Sequence, residues 1–197
     1  IHQALKEGNQ ISPSIFLENR KASGTHLING ILYAIQNNWQ ISFTHTKFWI
    51  MEISQRMVKP IAIKESQHRW YLIAQDNKDS QIKNFGFDRI TDLKISDIKF
   101  KPIVFDVEKN YKYAFGVETD VQAQKIVLEF SWQQGNYIKS FPLHSSQKII
   151  SDSKDGLVIE LFIHPSFDFG MELLKYGEDV KVIEPKSLAD KIVEISK

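Results

Sequence analysis

The hydrophobic rhythm of the chain changes more than once along its length. Leu27, Ile28, Ile31, Leu32 and Ile35 recur at helical spacing and share one face, so residues 25–37 predict an amphipathic helix. Thr25 is its expected N-cap and Asn37-Asn38 its stop. A short strand at 15–18 is expected before it, after the Ser12-Pro13-Ser14 turn. From residue 40 the period becomes two. Gln40–His45, Val58–Ile63, Arg69–Ala74, Asn84–Ile90 and Leu93–Ile95 predict short strands separated by polar turns such as Gln75–Ser80. That spacing is the pattern of a small β-barrel or sandwich. Residues 100–117, with Pro102 and a short helix at 106–115, read as a connection. Beyond it come strand 124–132, a helical or turn segment around 133–140, strand 143–150, a turn at Asp155-Gly156 and strand 157–163. Helix 166–176, strand 180–183 and a closing helix 186–196 complete the chain. Pro165 ends a strand, and Gly177 suits the position just past a helix. This β-α-β-β-α-β order with a last helix is the ferredoxin-like pattern. The expectation is an α+β chain with a leading linker at 1–24, a barrel domain at 25–100, a connection at 101–117 and a second domain at 118–197.

At 197 residues, with 42% hydrophobic residues and 13 Phe, the chain can bury a core in each domain. The absence of cysteine excludes disulfides, Cys-zinc sites and thiol chemistry. No apolar run reaches membrane-spanning length and Ile1 opens no secretory signal, so a cytoplasmic location with no membrane partner is expected. Net charge is only +1, but it is unevenly spread. Residues 24–100 hold 10 Lys and Arg against 7 Asp and Glu, while residues 101–197 hold 12 against 15. An anion site therefore belongs in the first half. Only four Arg stand beside 21 Lys, and Arg56, Arg69 and Arg89 fall close together, where planar bidentate pairing is a natural use. Chance and surface salt bridges explain the same clustering equally well.

The familiar enzyme templates are missing. No phosphate loop, dinucleotide fingerprint, nucleophile elbow or His-Glu-x-x-His occurs, and the six His sit at no metal-ligand spacing. No catalytic residue, metal or cofactor is assigned, and the chain is not expected to be an enzyme. The informative stretch is 56–90. Along the strand from Arg69, alternation puts Arg69, Tyr71, Ile73 and Gln75 on one face and Trp70, Leu72 and Ala74 on the other. Lys83, Phe85, Phe87 and Arg89 likewise share a face. Guanidinium groups beside a Tyr can pair phosphates and stack a base. Trp70, Leu72, Phe85 and Phe87 fit a core better than a ligand.

Ile41-x-Phe43, Arg56-x-Val-x-Pro60, Arg69-Trp-Tyr-Leu-Ile-Ala74 and Phe85-x-Phe87-Asp-Arg-Ile90, in that order, resemble the WYL domain. Lys125–Phe130, Leu143-His-Ser-Ser-Gln147, Asp155-Gly-Leu157 and Leu173-Leu-x-x-Gly177, with Val180-x-Val182 and Pro185, resemble the extension that commonly follows it. The resemblance implies an Sm-like, SH3-type barrel inside a bacterial transcription factor that usually begins with a helix-turn-helix. It implies effector sensing, with nucleotides or single-stranded nucleic acid as suspected ligands. Carried over by position, the binding candidates are Arg56, Tyr71, Lys83 and Arg89, with Arg69, His68 and His45 beside them. A Tyr is common in the family where this chain has His45, and an Arg where it has Lys83, a point charge without a planar fork.

Residues 1–14 are too few for a helix-turn-helix, so duplex DNA is expected to be read by a domain upstream of Ile1. An Sm-like protein that binds single-stranded RNA or DNA directly, and an interaction module that regulates an enzyme, are the competing readings. Operators read by two-fold dimers make a homodimer the expected assembly. Arg56, Lys83 and Arg89 are expected to converge near Tyr71 on one exposed surface.

Overall fold

The structure is a computed structural model that describes residues 22–195 and two short paired strands, β1 (Lys6–Glu7) and β2 (Gln10–Ile11). The strand expected at 15–18 lies outside the described residues. The chain divides into two compact units, 1–100 and 101–197.

In the first unit a single 3-10 turn, Thr25–Leu27, leads into helix α1 (Ile28–Asn37). Thr25 does not cap it. The chain enters through Gly24, whose left-handed backbone (φ 81°) turns its carbonyl to accept from the Leu27 amide at 2.9 Å. Asn38, also left-handed, closes the helix by donating its N–H to the carbonyls of Ala34 and Ile35. Five strands follow: β3 (Trp39–Lys47), β4 (Glu52–Ser66), β5 (Arg69–Asp76), β6 (Ile82–Gly86) and β7 (Ile90–Lys99). They form one antiparallel sheet in the order β6-β5-β4-β3-β7. The closed barrel expected from strand spacing does not form, because among the described residues no ladder joins β6 to β7. A 3-10 turn at Phe87–Arg89 breaks the strand expected over 84–90, and the chain beyond it pairs with β3 at the far edge.

Residue pairs Ile41–Val58, Phe43–Arg56 and His45–Ser54 stack along one face of β3 and β4. That face supplies the core, where Ile41, Phe43, Val58, Leu72, Phe85 and Phe87 pack against Ile31 and Ala34 of α1. The Phe43 and Phe85 rings meet edge to face at 5.2 Å. Strands β4 and β5 turn on Gln67-His68, both with positive φ (50° and 62°), the conformation a two-residue hairpin loop requires.

The second unit opens with α2 (Val107–Tyr111), shorter than the helix expected at 106–115 and capped by Asp106, which accepts from the Lys109 amide at 2.9 Å. Then come β8 (Gln124–Phe130), α3 (Trp132–Ser140), β9 (Lys148–Ser153), β10 (Gly156–Ile163), α4 (Phe167–Leu174), β11 (Val180–Glu184) and α5 (Lys186–Ile195). The sheet is antiparallel in the order β11-β8-β10-β9, with the β-α-β-β-α-β connectivity read from the sequence. Ser131 and Ser166 cap α3 and α4 through their hydroxyls. Strand β9 starts later than expected because Gln147 ties 143–147 into a turn, accepting from the Leu143 amide and donating to the Ile138 carbonyl. Alternate residues Ile126, Leu128 and Phe130 of β8 and Leu157, Ile159, Leu161 and Ile163 of β10 form the core with Phe169, Leu173 and Leu188. No described helix is long and apolar enough to cross a membrane.

Candidate functional site

Two carboxylates organise the cations of the first unit. The inward alternation Trp70, Leu72, Ala74 on β5 ends on Asp76, which is 1% exposed. Register brings its partners to it. Val58 of β4 lies opposite Asp76, placing Arg56 two residues along the same face, and Lys83 of β6 lies opposite Ala74. Asp76 Oδ2 accepts from Arg56 Nη1 at 3.0 Å and Lys83 Nζ at 2.8 Å, while Oδ1 accepts from the Lys78 amide at 3.0 Å. Arg56 Nε also donates to Ser54 Oγ at 3.1 Å, and Lys83 makes a second ion pair with Asp79. Burial alone would raise the Asp76 carboxyl, but the hydrogen bonds from Lys83 and the Lys78 amide and the charges of Lys83 and Arg56 hold it below the usual range.

Asp88, in the 3-10 turn after β6, serves Arg69 and Arg89 more loosely. It accepts from Arg69 Nη1 at 2.8 Å and from Arg89 Nε at 3.4 Å, a stretched contact. The Arg69 side chain is 60% exposed. The Arg89 guanidinium lies over the Phe48 ring, 5.7 Å from its centre. Gly86 makes room for this turn, since a Cβ there would come within 2.5 Å of Asp88 Oδ1.

His45 sits between the two clusters. It pairs with Ser54 on β4, two residues from Arg56, and with Ile90 on β7, the residue after Arg89. It is 8% exposed, its ring stands edge-on to Phe85 at 5.2 Å, and Nδ1 has no hydrogen-bond partner among the described residues. Burial, then the charges of Arg56, Arg89 and Lys47, lower its proton affinity, and Asp88 opposes them.

The structure thus brings Arg56 and Lys83 together on Asp76 and sets His45 and Arg89 beside them. Tyr71 is placed differently: it lies opposite Gly86 on the face of β5 and β6 away from Lys83 and is 8% exposed. His68 and Arg69 line a separate cleft of about 360 Å³ with Trp70, Asp88, Ala22 and Ser23. The candidates drawn from the sequence are cations, a Tyr and two His, and Asp76 and Asp88 are not among them. Alternation already put Asp76 on the inward face, where a carboxylate needs cationic partners. Nor do those candidates include the β3–β4 tip, where Phe48, Trp49, Ile50 and Met51 are all exposed, Trp49 by 92%. Among the described residues no group of His, Asp and Glu is arranged to hold a metal.

Residues 26–95 match the WYL domain, and residues 122–197 match the WCX domain. The chain carries a WYL domain followed by a WCX domain. The two-cluster site lies wholly within the WYL match, and the extension expected from the sequence corresponds to the WCX match. No curated protein matches the chain. Among solved structures, the WYL–WCX chain is similar to a CRISPR Cas-related protein at 13% identity and a TM-score of 0.53, over 86% of this chain and 49% of that one. Proteasome accessory factor B/C (PafBC) of Arthrobacter aurescens matches at 17% identity over 93% of this chain and 29% of that one, with a TM-score of 0.38. The first likeness bears on fold alone, and the chain spans less than half of either protein.

Proposed function

We propose that this WYL–WCX chain is the effector-sensing region of a bacterial transcriptional regulator, in which the WYL unit binds an anionic ligand, a nucleotide or a single strand of nucleic acid. Binding there biases how an upstream DNA-binding domain is presented. The observation that carries the reading is the situation of Arg89, one stretched carboxylate contact on one side and an aromatic ring under its guanidinium on the other. A guanidinium so placed has donor capacity left for a phosphate. In this reading the chain is a cytoplasmic binding module and not an enzyme, and it works as a homodimer.

The test is calorimetric titration with an oligothymidylate and with duplex DNA at two salt concentrations. Single-strand binding is expected, with a salt slope of about two to four phosphates. Arg89→Ala is expected to weaken it by about 1–3 kcal/mol. Arg89→Ala binding like wild type, or sequence-specific duplex binding that survives physiological salt, overturns the assignment.

A further inference from the structure

His45 holds the buried side-chain polar atom that finds no partner among the described residues. Native proteins rarely leave such an atom unmatched without a functional reason or a bound species. The second unit offers a contrast. His144 also has lowered proton affinity, from burial, yet its Nδ1 is hydrogen-bonded to the hydroxyl and amide of Ser146. His45 has no such neighbour. Ser54, opposite on β4, accepts from Arg56 Nε through its hydroxyl oxygen, and Ile90 on β7 and Phe85 on β6 are apolar. The charged groups acting on the imidazole are Lys47 on its own strand, Arg56 on β4, and Arg89 with Asp88 in the 3-10 turn. Lys47 is paired with Glu52 and Arg56 with Asp76, so Arg89, whose carboxylate contact is stretched, is the cation with charge to spare beside a nitrogen without a partner. A bound oxyanion would supply what is missing, an acceptor for that nitrogen and a charge to offset the Arg89 guanidinium.

We infer that His45 is a ligand-binding residue: its Nδ1–H donates to an oxyanion held with Arg89, and the imidazole takes up one proton as the anion binds. The inference rests on the anion-binding reading above and adds a linkage to it. Without a bound anion the neutral ring is favoured, by burial first and then by the charges of Arg56, Arg89 and Lys47. Anion binding reverses the balance, so the proton and the ligand each strengthen the binding of the other.

Oligothymidylate is the probe, because neither its phosphodiesters nor its bases titrate between pH 6 and 8, so any proton taken up comes from solvent to the protein. Titrations at pH 7 in buffers of different protonation enthalpy count that uptake. A sizeable fraction of one proton is expected for the wild type, and affinity should fall by up to about tenfold per pH unit across pH 6 to 8, the limit for one linked proton. His45→Gln keeps a side-chain donor without a titration in this range and should bind with affinity that no longer depends on pH. His144→Gln should behave as wild type. His68, at the rim of the neighbouring cleft, is controlled by His68→Gln. Oligothymidylate binding with no uptake, or uptake that persists in His45→Gln, overturns the role of His45 and leaves the functional reading standing; a water on Nδ1 would give that result. No binding of oligothymidylate or inorganic pyrophosphate at any pH overturns both. Should His45→Gln fold poorly, the wild-type His45 ring resonance decides. Its titration midpoint must rise when the oligonucleotide is added.

Discussion

Asp76 and Asp88 stand twelve residues apart in the same unit and each gathers two cations, yet they make different kinds of site. Asp76 lies at the inward end of a strand, buried, with both ion pairs at 3.0 Å or less and an amide on its second oxygen. Asp88 lies in a turn, with one close partner that is mostly exposed and one stretched partner. The first arrangement uses up its cations and the second leaves them donors to spare. Position in the alternation of a strand, more than the identity of the charged residue, decides which cations remain for a ligand.

The sharpest way to break this contrast is Asp76→Asn. It leaves Arg56 and Lys83 in a poorly solvated place without their counter-charge, and should cost about 3–5 kcal/mol in urea denaturation. A loss below about 1 kcal/mol would mean that Asp76 is no more structural than Asp88. His45→Phe should act in the opposite direction. Removing a buried nitrogen that lacks a partner, in favour of a ring of similar shape beside Phe85, should stabilise the protein by about 1 kcal/mol while abolishing proton-linked binding. A destabilised variant would show that Nδ1 is already satisfied.

Acid should reveal the same groups in sequence. His45 and His144 bind protons less tightly in the folded protein than at their ordinary value of 6.5, so the unfolded chain takes up more protons below that pH. Their contribution is full above pH 6.5 and is lost as pH falls below that value through their lowered folded values. That of Asp76, held below its ordinary 3.8, is full above pH 3.8 and is lost only below it. The denaturation midpoint should therefore drop in two stages, and His45→Gln should shrink the first. The smallest effect is expected of Arg69→Ala, about 0–1 kcal/mol, because that pair is largely in water.

Much of this architecture was legible in the hydrophobic pattern. The period of two in β3 to β5 and the ordered strands and helices of the second unit are carried by local alternation and by caps such as Ser131 and Ser166, which act within a few residues. The open sheet was not legible. Asn84–Ile90 alternates like one strand, and only the Phe87–Arg89 turn, with Gly86 giving it space, shows where the chain leaves. The site was half legible for a related reason. Composition exposed the cations, but which carboxylate each would meet depends on register, and β5–β6 pairing puts Tyr71 on the face opposite Lys83.

Gly24 couples the Asp88 cluster to the start of the unit. A Cβ on Gly24 would fall 2.4 Å from the Phe87 carbonyl oxygen, so the two backbones touch with no room for a methyl group. Ala22 and Ser23, immediately before it, share a cleft wall with Arg69 and Asp88. Backbones in such contact behave like meshed teeth. The Phe87–Arg89 turn, and with it the Asp88 carboxylate, therefore rests directly on the chain entering α1, with no side chain between them to act as a cushion.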